Sequence, residues 1–136
     1  VTANDPTYGD GEFIMLKGVD STIVGSLVRY NRVNYQTVLV TAVAGQSAPY
    51  AVAMAATTAL LFGWYQISGT AVLAKTAVIN LPDVAVYVSG TAGKVKAITS
   101  AGLQVLNCRT QSLTTASAAT TVLVTINRPA GQGQIT

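Results

Sequence analysis

The sequence predicts an all-β protein: a small β-barrel or β-sandwich of about nine short strands, with one short helix and extended terminal arms. Three observations support this. The chain is rich in Val, Thr, Ala and Gly, which favours pleated, half-buried strands over solvent-facing helices. Short apolar runs alternate with period two, as in strands with one buried face. Glycines fall between these runs, where turns require a positive φ or a close backbone approach. At 136 residues the chain is expected to form one domain with a real core.

The two ends of the chain predict extended arms around a β domain of residues 13–127. Residues 1–12 are dense in turn formers and carry little apolar anchoring except Tyr8. Residues 128–136 are similar, since Pro129, Gly131 and Gly133 loosen the backbone after the last apolar run. We therefore expect an N-terminal arm at 1–12 and a C-terminal tail at 128–136, which neighbouring subunits would order.

The apolar runs of the central region predict its strands. The clearest run is 121–127, where Val122, Val124 and Ile126 share one face. The predicted strands are residues 13–17, 23–30, 37–43, 64–68, 71–75, 84–88, 94–98, 104–109 and 121–127. Residues 53–61 interrupt the pattern, because Met54, Leu60 and the alanines are good helix formers and Gly63 stands where a helix cap would. One short helix is predicted there.

The scarcity of charge points to a protein that meets other proteins. Only 10% of the residues are charged against 50% hydrophobic, and no Asp, Glu, Lys or Arg occurs in residues 33–74. A free soluble domain carries roughly a quarter charged residues. Residues 1–20 carry four acids and one lysine, a net charge of −3. Because the whole chain has a net charge of +3, residues 21–136 carry +6. These basic residues are dispersed and form no run that would neutralise successive phosphates, which argues against nucleic acid.

The residue types needed for common catalytic sites are missing. The chain has no histidine, which removes Ser-His-Asp and Cys-His arrangements. Its one cysteine, Cys108, excludes an internal disulfide and a cysteine-clustered metal site, and its apolar neighbours predict a buried residue. Four of the five acids lie in the first twenty residues, and Asp83 follows Pro82 in a turn-like sequence. No Gly-rich phosphate loop is present. We expect no enzyme activity, no cofactor, no metal and no small-molecule substrate.

The uncharged segment 51–67 is long enough to be weighed as a membrane span. Thr57, Thr58, Gly63 and Gln66 dilute it, and neither flank has a basic cluster, so we expect no membrane partner. The polar, turn-like residues 1–8 argue against a secretory signal.

Several residues are candidates for a protein interface. The arm offers Tyr8, Asp10 and Glu12, and the tail offers Arg128 and Pro129. Two further pairs are also candidates. Lys94 and Lys96, on one face of a predicted strand, either meet an acidic partner or guard an exposed edge against aggregation. Trp64 and Tyr65 lie in the densest aromatic cluster, where core packing and an interface anchor are both open explanations.

A series of short, mostly glycine-containing motifs lies along the chain. They are Gly25-Ser26-Leu27-Val28, Ala51-Val52-Ala53, Phe62-Gly63-Trp64-Tyr65-Gln66-Ile67-Ser68-Gly69-Thr70-Ala71, Thr91-Ala92-Gly93-Lys94, Ala101-Gly102 and Ile126-Asn127-Arg128-Pro129. Over roughly residues 20–130 the chain resembles the small capsid decoration, or cement, proteins of tailed bacteriophages. The resemblance implies a compact β domain on the outer surface of an icosahedral head, made in the host cytoplasm. It would act as a trimer that bridges major capsid proteins, with terminal arms that reach neighbours.

A second hypothesis comes from a different class of protein. A virion spike or extracellular adhesin-type module would use exposed aromatics and Thr-rich faces to bind a host surface ligand. Sedimentation of the purified chain with heads lacking it would favour the cement hypothesis, whereas binding to cells alone would favour the second.

Overall fold

The computed structural model describes residues 1–111 and 113–133 and confirms the all-β class. It has ten strands: β1 Thr2–Asp5, β2 Gly9–Lys17, β3 Leu27–Tyr30, β4 Thr37–Leu39, β5 Tyr50–Ala53, β6 Phe62–Ala74, β7 Ala85–Val88, β8 Val95–Lys96, β9 Gln104–Thr110 and β10 Thr121–Gly131. Residues 134–136 of the expected C-terminal tail lie outside the described residues.

All ten strands belong to one antiparallel sheet. Its main path runs β4-β3-β5-β6-β10-β9-β7-β8, and β2 pairs with β6 while β1 pairs with β2. The sheet curls into a half-barrel. Two hydrogen bonds connect regions near its two ends: the Gly93 N–H donates to Val40 O (2.9 Å), and Gly93 O accepts from the Leu27 N–H (2.8 Å). The turn between β7 and β8 is thereby joined to β3 and β4.

The curl encloses the larger of two hydrophobic cores. Residues from seven strands fill it, with Leu27, Val52, Leu73, Val105 and Val124 all fully or almost fully buried. A second core lies on the opposite face of the sheet around Leu16, Val28, Ala51 and Tyr65. Strand β5 contributes to both cores and is buried at all four positions. Its two-sided burial explains why it shows no alternation and was missed as a strand.

The predicted helix at 53–61 is wrong. Ala53 ends β5, residues 54–61 form a loop, and Gly63 lies inside β6 rather than at a helix cap. A nine-residue helix is marginal by itself. This loop is held instead by tertiary hydrogen bonds to residues 18–22: the Ala59 N–H donates to Asp20 Oδ1 (2.9 Å) and the Gly18 N–H to Leu61 O (2.6 Å). These contacts outweigh the helix propensity of the alanines and leucines.

The predicted strands 64–68 and 71–75 are one continuous strand, β6, and Gly69 is not a turn. It lies within β6 at φ +102°, beside Gly11 of β2. The register shifts by one residue next to it, so that Glu12 faces Ser68 while Phe13 faces Gln66. Gly69 therefore permits a close approach of β2 to β6 at a β-bulge.

The expected arms lie against the sheet over their described residues. Residues 1–12 form β1 and the first part of β2, so the expected boundary between residues 12 and 13 falls inside a strand. The boundary between residues 127 and 128 likewise falls inside β10. At that point the pairing of β10 with β9 shifts register, and Arg128 has φ +50°.

Candidate functional site

An exposed apolar surface on β2 and β6 is the most prominent feature outside the cores. Met15 faces Trp64 across the two strands, and Lys17 faces Phe62. Alternation turns Ile14 and Leu16 to the second core and Met15 to the outside. The exposed fractions are 41% for Met15, 44% for Trp64 and 60% for Phe62. Large apolar side chains thus stand side by side on the outer surface of these strands.

The loop and the first residues extend this surface. Met54, just beyond β5, donates its N–H to Trp64 O (3.3 Å) and is 44% exposed. Val1, Ala3, Phe13, Met54 and Trp64 line a shallow, mostly apolar depression of about 380 Å³. We call Val1, Phe13, Met15, Met54, Phe62 and Trp64 the apolar face. Contiguous exposed apolar surface of this kind marks interaction sites more often than scattered single residues do.

Two leucines of the loop 54–61 lie next to Phe62 in the chain. Leu60 is 78% exposed and has φ +71°, and Leu61 is 60% exposed. The loop is held by hydrogen bonds with Gly18 and Asp20, the first of which is accepted by Leu61 O itself. The segment expected to form a helix therefore presents exposed leucines beside the apolar face.

The structure separates the two aromatic candidates. Trp64 lies on the apolar face, whereas Tyr65 is fully buried in the second core, where its hydroxyl lies 3.0 Å from Thr57 Oγ1. Tyr65 ties the loop 54–61 to the sheet. Neighbouring residues of one strand thus have different roles, as alternation requires.

The structure brings together candidates from the two ends of the chain. Arg128 Nη2 lies 2.8 Å from Glu12 Oε2, so arm and tail form an ion pair within one chain. Asp10 accepts a hydrogen bond from Asn4 Nδ2 (2.6 Å), and Tyr8 is 43% exposed in the turn between β1 and β2. Both members of the ion pair are substantially exposed, and such pairs contribute little stability.

The remaining candidates lie apart from the apolar face. Pro129 is buried in β10. Lys96 is half-buried on β8, and Lys94 precedes that strand in a turn where its N–H donates to Thr91 O (3.1 Å). Lys94 therefore lies outside the strand that the sequence predicted for residues 94–98, of which only Val95 and Lys96 form β8.

Titratable groups of the described residues do not assemble into a reactive centre. No group of three or more His, Cys, Asp or Glu side chains is placed to hold a metal among the described residues. Cys108 is buried as expected, and burial raises its pKa to about 12. Burial lowers the pKa of Lys75, whose ammonium donates to Thr76 O (3.0 Å) and Val78 O (2.7 Å). Asp83 pairs with Arg109 at 3.2 Å.

Sequence reasoning identified Trp64 but missed most of the apolar face. Residues 13–17 were predicted as a strand, yet Met15 becomes part of a surface only because β2 pairs with β6 in a register that puts it opposite Trp64. Phe62 was not among the interface candidates, and Met54 was predicted to lie in the helix. The missing information was strand pairing, which local alternation does not provide.

No protein-family model matches the sequence, and no curated protein shows detectable similarity to it. Within the described part of the chain, no helix has the length and apolar character needed to cross a membrane.

Proposed function

We propose that this protein is a structural virion subunit that binds the outside of an icosahedral phage head and cements neighbouring major capsid proteins. The apolar face on β2 and β6 is the observation that carries the proposal. Four of its six residues, Phe13, Met15, Phe62 and Trp64, lie on the paired strands β2 and β6, so the sheet holds most of its shape. Major capsid protein and further copies of this chain, as a homotrimer, are the proposed partners.

The composition supports the same proposal. With few charged residues, the protein has little strongly hydrated surface to resist association, and the apolar face offers side chains that contribute most when water is removed from them. Burial contributes roughly 25 cal/mol per Å² of apolar surface, partly offset by the loss of translational freedom and by side-chain ordering.

Repetition over a capsid would make modest interfaces effective. A subunit that touches two neighbouring shell proteins forms its second contact at a high effective concentration. Heads with the protein bound should therefore resist heat better than heads without it. The resemblance to capsid decoration proteins, argued above from short glycine-centred motifs, is consistent with this role.

A binding experiment with heads that lack the protein tests the proposal. Wild-type protein should co-sediment with such heads, and Met15→Asp should weaken binding at least about tenfold, because a carboxylate at the centre of a dry interface must be desolvated. Met15 is already 41% exposed, so the free variant should stay folded.

The matched control is Ile98→Asp, which places the same charge at a side chain that is 55% exposed and lies outside the apolar face. It should bind heads like the wild type. Equal occupancy by Met15→Asp and wild type, or failure of the wild type to bind heads, would count against the proposal.

A further inference from the structure

A polar groove lies on the part of the sheet occupied by β3 and β4, apart from the apolar face. A depression of about 390 Å³ is lined by the end of β3, the turn into β4 and residues 47–49 before β5. A second depression of about 420 Å³ shares Tyr30, Ser47, Ala48 and Pro49 with it and adds Arg32. We call the two together the donor-rich groove.

Two arginines of this groove have no anionic partner. Neither Arg29 nor Arg32 forms an ion pair or a side-chain hydrogen bond with any side chain that the structure describes, and no lining residue of either depression is an acid. Arg29 lies near buried Tyr50: burial raises the pKa of that phenol, and the Arg29 charge acts in the opposite direction. The groove is therefore positively charged and holds no internal counterion.

Two asparagines add further donors because the turn uses their oxygens. Asn31 Oδ1 accepts the Val33 N–H (2.7 Å), and Asn34 Oδ1 accepts the Gln36 N–H (3.1 Å). Their Nδ2 groups form no hydrogen bond with the described residues, and both side chains are exposed. The oxygen of each amide is therefore used by a hydrogen bond within the turn, while its two N–H donors are available to a ligand.

The floor of the groove is apolar. Val38, Ala48 and Pro49 line it beside Tyr30, whose ring packs partly against the second core. An apolar floor with a few convergent polar groups and a volume of several hundred Å³ is typical of a small-ligand site. The donors at its rim favour a ligand rich in acceptors and negatively charged.

The strand edge beside the groove argues against an added peptide strand. At the start of β4, Tyr35 O accepts the Lys17 N–H (2.9 Å) and Thr37 Oγ1 donates to Lys17 O (2.7 Å). Just beyond its end, Val40 O accepts the Gly93 N–H. Peptide recognition by strand addition needs an open edge, and this edge is occupied on both sides of Val38. Recognition must therefore come from side chains.

We propose that the donor-rich groove binds a carboxylate-bearing sugar of an acidic glycan. Arg32 pairs with the carboxylate, since a guanidinium matches its planar geometry, and Arg29 adds positive charge to the adjoining depression. The Asn31 and Asn34 amides donate to ring and hydroxyl oxygens, and the carbon face of the sugar lies over Val38, Ala48 and Pro49. This inference does not depend on the proposed function, because it uses none of the residues of the apolar face.

Titration of the full chain with defined oligosaccharides tests the groove. Trigalacturonate is the probe and maltotriose the neutral control, with binding followed by calorimetry and by amide NMR shifts of residues 29–36 and 47–49. The wild type should bind trigalacturonate with a Kd of about 1 mM or lower at low salt and should not bind maltotriose.

Two variants sharpen the test. Arg32→Gln should weaken binding about tenfold or more, because it removes a charge-assisted hydrogen bond. Asn34→Asp keeps the oxygen that accepts the Gln36 N–H but replaces an outward donor with a carboxylate, so it should weaken binding at least as much without unfolding the turn. The control, Arg109→Gln, removes the same charge from an exposed pair on β9 and should change the Kd less than twofold.

Three results would overturn the inference: no saturable binding of trigalacturonate by the wild type, equal binding of maltotriose, or equal weakening by Arg109→Gln. Binding of a synthetic acidic peptide of residues 1–12 to the groove, with no binding of trigalacturonate, would also overturn it and would assign the groove to a second copy of this chain.

Discussion

Substitution of Gly69 by alanine should detach the β1–β2 hairpin from the sheet. Gly69 has φ +102°, and a methyl carbon there would overlap the backbone carbonyl oxygen of Asp10 and come within 3.1 Å of Gly11 Cα. Backbone atoms of a paired strand cannot move aside as a flexible side chain can. The substitution therefore forces either the pairing of β2 with β6 or the conformation of β6 to change.

Two contributions set the size of the effect. A non-glycine residue held at positive φ costs roughly 1–2 kcal/mol. Overpacking against fixed neighbours costs roughly 1–3 kcal/mol more. We expect Gly69→Ala to lower the free energy of unfolding by about 2–5 kcal/mol, a large share of the 5–15 kcal/mol typical of a domain.

The control for this experiment is Gly90→Ala. Gly90 is exposed, has no positive φ, and nothing lies within 4 Å of an added Cβ. Alanine there should be neutral or slightly stabilising, because it restricts the unfolded chain. Chemical denaturation followed by Trp64 fluorescence measures both variants, and amide hydrogen exchange shows whether protection is lost in β1 and β2. Equal stability of the two variants would refute the argument from close strand approach.

Three further predictions concern buried groups. Tyr65→Phe removes the hydroxyl that lies 3.0 Å from Thr57 Oγ1 and should lower the free energy of unfolding by about 1 kcal/mol, measured by thermal or chemical denaturation. An unchanged free energy of unfolding would contradict a stabilising role for that contact. Burial raises the pKa of Cys108 from 9.0 to about 12, so the thiol should resist alkylation in the folded protein at pH 8 and react only after unfolding. Intact mass spectrometry measures the extent of alkylation. Rapid alkylation of the native chain would contradict the burial of Cys108. Because folding raises this pKa, the stability that the protonated thiol contributes is complete below pH 9 and is lost as the pH rises from about 9 to 12. Denaturation midpoints of the wild type and of Cys108→Ala should therefore differ by an amount that changes only in that pH range.

Local alternation in the sequence predicts strands that have one solvent-exposed face and one buried face. Residues 121–127 alternate and lie inside β10, and residues 13–17 lie inside β2. Strand β5 could not be found this way, because both of its faces are buried and its residues are uniformly apolar. Long-range pairing, rather than local pattern, identifies such a strand.

Glycine and alanine misled the sequence analysis for a related reason. Gly69 was interpreted as a turn because glycines commonly occupy turns, but here β2 crosses close to β6 and leaves no room for a side chain. The alanines of 53–61 favour a helix locally, yet hydrogen bonds to Gly18 and Asp20 fix a loop. In both cases a partner distant in sequence decides the local conformation.

The hairpin couples stability to the proposed binding surface. Phe13 and Met15 lie on β2, Trp64 lies on β6, and the apolar face exists only while these strands are paired in the observed register. A one-residue slip would turn Ile14 and Leu16 outward and Met15 inward. Gly69→Ala should therefore weaken binding to heads even though Gly69 is not part of the apolar face, whereas Met15→Asp should weaken binding with the hairpin still protected from exchange. If Gly69→Ala loses hairpin protection but binds heads normally, the binding surface must lie elsewhere on the molecule.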